Sequence, residues 1–147
     1  MKLRLLIISF ILLILQGCAS VPMASLQKDS DAKQFKTSPE KSNIYVYRNE
    51  TFGGAIPLTL NLDGRFAGQT GPYTYFFAQV DPGQHEVTSV AEDTSNLRLS
   101  TEPGKSYFVW QEVKMGLWMA RSRLQEVDSN TGTAAVQKCK MIESQIK

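Results

Sequence analysis

From residue 44 onward the apolar residues of this chain come in short runs, interrupted by turn-forming residues about every 8–12 positions. That rhythm limits the fold more than any other feature. Ile44-Tyr45-Val46-Tyr47 is a β-branched and aromatic run. Leu58, Leu60 and Leu62 alternate with Thr59 and Asn61, which gives a strand one buried face. Asp63-Gly64 follows, a two-residue hairpin signal whose positions both need positive φ. Residues 65–69 form the return strand. Gly71-Pro72 turns the chain into an aromatic strand over 73–80, and Asp81-Pro82-Gly83 turns it again. Further strands are expected at 84–91, 96–101, 106–114 and 121–128. About eight short strands in this order predict a mainly β chain, an antiparallel β-sandwich or a partly open barrel. The chain lacks strand–helix–strand alternation, which argues against a parallel α/β sheet.

The period changes near the C-terminus. Ala135, Cys139, Ile142 and Ile146 recur at intervals of four, three and four, one face of a helix. Lys138, Lys140, Glu143 and Gln145 fill the remaining surface. This C-terminal helix is expected to pack on a sheet face or to cover an edge strand. It would place Cys139 inside the apolar stripe, where a free cysteine behaves as a small hydrophobe.

The N-terminus carries Lys2 and Arg4, then an apolar run over 5–15 broken only by Ser9. These are the charged and apolar regions of a secretory signal peptide. The run falls short of the roughly 20 residues that span a bilayer. Leu15-Gln16-Gly17-Cys18 resembles the lipobox of bacterial lipoproteins. The resemblance implies signal cleavage between Gly17 and Cys18, a diacylglyceryl thioether on Cys18 and, in many bacteria, a third acyl chain on the new amine. Two acyl chains anchor a protein stably, so the mature chain would be held to a membrane without crossing it. In Gram-negative lipoproteins an aspartate after the cysteine usually retains the protein in the inner membrane. Ala19 stands there, so the resemblance implies an outer-membrane lipid anchor facing the periplasm. The expected organisation is a signal peptide at 1–17, lipidated Cys18 and a flexible tether over 18–43, and the sandwich domain over 44–147. The tether is polar, and a flexible chain of that length reaches roughly 25–30 Å. Leu26, Ala32 and Phe35 are spaced for a short helical turn docked on the domain.

Removing the leader takes away two basic residues of 16 and leaves 14 basic against 14 acidic side chains. Zero net charge gives no excess to neutralise phosphates, so nucleic acid is not an expected partner. With lipid on Cys18, Cys139 has no partner within the chain, leaving intermolecular pairing, reactivity or burial as its alternatives, of which the helical stripe favours burial.

Chemistry is sparse. His85 is the single histidine. It begins a strand, and no nucleophile motif such as G-x-S-x-G accompanies it, so a structural hydrogen bond is a commoner role than general-base catalysis. One His and one stripe Cys do not make a zinc site. Asp63, Asp81, Glu92 and Asp93 lack EF-hand spacing, and their turn positions explain most of them. The glycines are dispersed over turns and form no phosphate loop. The expectation is a chain without catalytic residues, metal or cofactor other than the covalent lipid.

The loop 115–119 has the composition of a protein-binding hot spot, with Met115, Leu117, Trp118 and Met119 around Gly116 and with Arg121 beyond. The alternative is that the loop folds back over the open end of the sandwich, as tryptophan is highly buried on average. Tyr45, Tyr47, Tyr73, Tyr75 and Trp110 would suit a sugar-stacking platform, although strand alternation favours core packing or cross-strand pairing for them.

Ile44-Tyr45-Val46-Tyr47-Arg48, Leu62-Asp63-Gly64, Pro82-Gly83 with His85, and Gly104-Lys105 before Tyr107-Phe108-Val109 together resemble a family of small bacterial lipoproteins catalogued as domain of unknown function 2846. Ala32-Lys33 with Phe35 fits upstream. The resemblance covers about residues 30 to 143 and implies a β-sandwich on a lipid anchor. The family has no established activity, so it transfers no catalytic or binding residue. The expectation from all of this is a non-enzymatic binding or scaffolding module of the envelope with an envelope protein as partner. A module for peptidoglycan or surface glycan is the alternative, and a hydrolase using His85 a more distant one.

Overall fold

The computed structural model describes residues 20–118 and 120–146. The signal peptide, Gly17, Cys18 and Met119 lie outside the described residues.

Nine strands form two sheets, with the strand order β8-β7-β1-β4-β9 in one and β3-β2-β5-β6 in the other. The strands are β1 (Ser42–Arg48), β2 (Leu58–Leu62), β3 (Arg65–Thr70), β4 (Thr74–Val80), β5 (Gly83–Val90), β6 (Thr94–Thr101), β7 (Ser106–Met115), β8 (Ala120–Val127) and β9 (Lys140–Met141). Helix α1 (Leu26–Ala32) precedes them and α2 (Ser129–Gln137) lies between β8 and β9. The chain is mainly β, as its patterning predicts, and the two sheets form the expected sandwich. Two pairings are parallel, β1 with β7 and β4 with β9. The remaining pairings between strands are antiparallel.

The molecule has three layers. Ile44, Val46, Phe76 and Val109 of the five-stranded sheet meet Leu60, Leu62, Val87 and Leu99 of the other sheet in one core. A second core lies on the outer face of the five-stranded sheet. There Tyr45, Tyr47, Tyr75 and Phe108 pack with Ala32 of α1, Ala135 and Val136 of α2, and Cys139. Strand β1 is therefore buried at every position, and its run of aliphatic and aromatic residues divides between the two cores by side-chain alternation.

The Asp63-Gly64 hairpin forms as expected, with φ of 52° and 74° at its two residues. Asp128 caps α2 by accepting from Thr131 N at 3.0 Å. Within α2, Gly132 lies directly on Phe108, and a Cβ built there would sit 2.2 Å from the Phe108 ring.

Two stretches differ from the sequence reading. Residues expected to form a flexible tether are packed from Val21 onward. Val21 is buried in the sandwich core, Met23 bridges Ile142, and Ala24 N donates to Met141 O. Tyr45 Oη donates to Ala32 O at 2.9 Å and Tyr75 Oη to Asp29 O at 3.3 Å, so both tyrosines hold α1 by its backbone. The expected docking turn is thus a capped helix with Ala32 buried, while Leu26 is exposed.

The C-terminal helix ends at Gln137, so the stripe Ala135, Cys139, Ile142, Ile146 is not one helical face. Lys140 N and Ile142 N donate to Tyr73 O and Tyr75 O. The edge of β4 would otherwise leave these carbonyls unpaired, and the chain extends to meet them. Cys139 remains buried with Sγ 3.7 Å from Arg48 O.

Candidate functional site

One end of the sandwich holds the loop that sequence composition singles out. Strands β7 and β8 run together until Met115 faces Ala120. Met115, Leu117 and Trp118 are 77%, 79% and 91% exposed. The loop does not fold back over the sandwich; Leu58, Val113 and Ala120 close that end beneath it.

The loop is held by a carboxylate from the other sheet. Glu92, in the β5–β6 turn, accepts from Leu117 N at 3.1 Å and Trp118 N at 2.8 Å. Arg121 donates to the same carboxylate through Nε at 3.1 Å and Nη2 at 2.9 Å. Glu92 N in turn donates to Ala120 O. A mostly shielded acceptor with two amides and a guanidinium makes strong, charge-assisted hydrogen bonds. The backbone is therefore fixed while its apolar side chains stand in water.

Beside it lies the loop 49–57, organised by Arg48. This side chain is fully buried. Its guanidinium donates to Ile56 O at 3.0 Å, and to Phe52 O and Gly53 O at 2.9 Å each. Glu50 accepts from Val113 N and ties the loop to β7. Desolvation lowers the Arg48 pKa and nearby Glu50 opposes that shift. Phe52, Gly53 and Ile56 line a cleft of about 300 Å³ with Met115, Leu117 and Trp118. A larger groove of about 390 Å³ runs between α1 and the C-terminal segment over Tyr45 and Phe77.

The remaining candidates fall elsewhere. Tyr45, Tyr47 and Tyr75 are buried in the outer core, so the sugar-stacking platform does not form; Tyr73 is exposed at the end of the sandwich and Trp110 packs against the outer core. His85 Nδ1 lies 2.7 Å from Asp63 Oδ2, and Nε2 lies 2.7 Å from Asp81 O. Both partners are acceptors, which favours the doubly protonated imidazolium. Burial works against that charge, but the hydrogen bonds to Asp63 and Asp81 prevail and raise the His85 pKa. Desolvation likewise opposes ionisation of Asp63, yet the bonds from His85 and Glu86 N bring its pKa below the usual carboxylate value. The pair clips the β2–β3 turn to β5. Burial pushes the Cys139 thiol up to about 12, against a smaller opposing effect of Lys33. Among the described residues no cluster of three or more His, Cys, Asp or Glu side chains could hold a metal ion.

Sequence reasoning missed both Arg48 and Glu92 as organisers of this end. Arg48 reads as an ordinary polar strand terminus, and Glu92 is 25 residues from the amide of Leu117 that it binds.

The class defined so far is a three-layer β-sandwich with exposed apolar side chains gathered at one end. The chain belongs to the family described as "Protein of unknown function (DUF2846)", which it matches over residues 38–122. It is also 37% identical over 135 residues to an "Uncharacterized protein" of Haemophilus influenzae (strain ATCC 51907 / DSM 11121 / KW20 / Rd), covering 90% of this chain and 80% of that protein. No solved structure matches the chain. No described helix is long and apolar enough to cross a membrane.

Proposed function

We propose that this chain is an outer-membrane lipoprotein, anchored by lipid on Cys18, that acts in the envelope by binding and not by catalysis. The observation that carries the reading is the 115–118 loop. Its backbone is clamped by Glu92 while Leu117 and Trp118 remain exposed. Large apolar side chains held in water on an ordered backbone mark a contact surface. A preordered loop lowers the entropy lost on contact. The engaged ring nitrogens of His85 support a structural role for it over general-base chemistry, and burial of the strand tyrosines weighs against glycan stacking.

The test is fractionation and complementation in a deletion strain. The native chain is expected in the outer-membrane fraction with acyl chains on Cys18, and Cys18→Ser is expected to be absent from it. Trp118→Ala should fail to complement while its stability stays within about 0.5 kcal/mol of native, the usual range for exposed substitutions. His85→Ala should complement. Native chain without acylation refutes the anchor. A folded His85→Ala that is inactive, beside an active Trp118→Ala, would turn the reading toward a hydrolase.

A further inference from the structure

The exposed apolar side chains are gathered at one end of the sandwich. Strand register identifies that end: Arg48 faces Thr74, Leu58 faces Thr70, Val90 faces Thr94 and Met115 faces Ala120. Phe52, Tyr73, Met115, Leu117 and Trp118 all emerge there, exposed by 43% to 91%. Met23 and Leu26 flank Lys140, whose partner Thr74 lies at the same end. Among the described residues, Phe66 is the one large exposed apolar side chain placed at the far end, where it pairs with Asn61. Ion pairs occur at both ends, Lys41–Asp81, Lys105–Glu102 and His85–Asp63 at the far one and Lys114–Glu112 and Arg121–Glu92 at the apolar one, so the two ends differ in exposed apolar side chains and not in charge.

The N-terminal chain arrives at the apolar end. Ser20 and Val21 share a cleft with Pro72 and Tyr73, and Pro72 packs beside Gly54 of the 49–57 loop. Because Val21 is already in the core, very little chain separates the domain from Cys18. Two peptide steps of about 3.8 Å place the Cys18 Cα within about 8 Å of the Ser20 Cα. The headgroup layer of a leaflet is about 5–8 Å thick. A lipid on Cys18 would therefore hold this end of the sandwich at the headgroups, with no gap wide enough for a second folded domain.

We propose that this end is a membrane-apposed face, with Phe52, Tyr73, Leu117 and Trp118 entering the boundary between headgroups and acyl chains. The inference rests on the lipid-anchor reading above and adds an orientation to it. Tryptophan and tyrosine favour that boundary because an apolar ring and a polar tip are both accommodated there. Tyr73 is held outward in a left-handed backbone conformation, φ 50°, with its carbonyl bonded to Lys140 N. Interfacial affinity grows with the apolar area that enters, and a short anchor keeps that area at high effective concentration.

The experiment uses the lipidated chain purified from cell membranes and reconstituted in vesicles of phosphatidylethanolamine and phosphatidylglycerol. A nitrobenzoxadiazole probe is attached to Leu117→Cys, and in a second protein to Phe66→Cys; the buried thiol of Cys139 stays unlabelled. The mass of the Cys18 peptide is checked first, and its lack of lipid would refute the anchor itself. With lipid present, the probe at Leu117 should shift to the blue, lose most of its emission to nitroxide lipids and be shielded from aqueous iodide several-fold relative to Phe66. Equal iodide quenching at both sites overturns the membrane face while leaving the anchor intact. Shielding at Leu117 without nitroxide quenching also overturns it, in favour of a protein surface such as a second copy of this chain.

Discussion

Gln111→Ala should destabilise the sandwich out of proportion to the carbon it removes. Gln111 is fully buried on β7, between the sheets. Its Oε1 accepts from Thr70 Oγ1 of β3, and its Nε2 donates to Ser89 Oγ of β5 at 2.6 Å. Ser89 is further paired with Ser122 of β8 at 2.7 Å. Truncation leaves Ser89 with Ser122, but it leaves Thr70 with only Leu58 O at 3.5 Å, the outer limit of a hydrogen bond. One hydroxyl stranded in a buried site costs about 1–3 kcal/mol, and the lost methylene with its cavity adds about 1 kcal/mol. The expected loss is about 2–4 kcal/mol, or roughly 8–15 °C in Tm for a domain of this size. Urea denaturation of the mature chain, followed by tryptophan fluorescence, would measure it. Thr70→Val in the Gln111→Ala background removes the stranded hydroxyl and should recover about 1 kcal/mol, whereas Thr70→Val alone should destabilise. A loss below about 1 kcal/mol for Gln111→Ala, or simple additivity of the two changes, would refute the network as a bridge between sheets.

Gly132→Ala should destabilise by about 1–3 kcal/mol, although alanine is the better helix former, because the new Cβ meets the Phe108 ring at 2.2 Å; a rise in Tm would show that α2 shifts freely. The single His85 resonance in a proton NMR titration should give a pKa above the ordinary value of about 6.5, and Asp63→Asn should lower it. The signs give a window. The raised His85 pKa contributes stability below about pH 6.5 that is lost as pH rises through the folded-state value, and the lowered Asp63 pKa contributes stability above about pH 3.8 that is lost as pH falls through its own folded-state value. A midpoint of His85 at or below the ordinary value would contradict the clip. Cys139 should resist thiol reagents at pH 8 in the native chain and react on unfolding, since burial pushes its pKa up to about 12; stoichiometric native labelling would place it at the surface.

Eight strands are legible in the sequence because turn chemistry and alternation are local. Each expected strand falls within about two residues of an observed one, a common uncertainty at element ends. Long-range pairing was not legible. Residues 138–142 read as helix because Cys139 and Ile142 continue a helical spacing, and only the open edge of β4 explains why the chain extends there. A cap signal was present at Asp128, three residues before Thr131, and would have moved the helix start to its observed place. The 20–43 stretch reads as tether from its polar composition, yet Val21, Ala32 and two tyrosine hydroxyls on the backbone suffice to dock it. For the site, the composition of 115–119 left an exposed contact and a loop folded back over the sandwich both open, with the usual burial of tryptophan on the side of folding back, and the exposure of Met115, Leu117 and Trp118 overturns that. Arg48 and Glu92 gave no comparable signal, since a charged residue beside a turn is ordinary until its distant partners are known.

Those two side chains make the end of the sandwich intelligible. Arg48 directs three N–H···O bonds onto carbonyls of one loop, and Glu92 collects two amides of another, so each charge is used on backbone. Backbone groups bound in this way need no partner from outside, and the loops can be ordered while Phe52, Leu117 and Trp118 stay exposed. The two clamping side chains come from different sheets, Glu92 from the β5–β6 turn and Arg48 from the end of β1, so the shape of the end depends on both sheets staying in register. The Thr70–Gln111–Ser89–Ser122 chain crosses between the same sheets. Its polar bonds have directional geometry that apolar packing lacks, and that geometry fixes the relative position of the two sheets. A change at Gln111 mild enough to leave the chain folded should therefore loosen the seat of Trp118 as well as lower stability, which links the interior of the sandwich to the surface it presents.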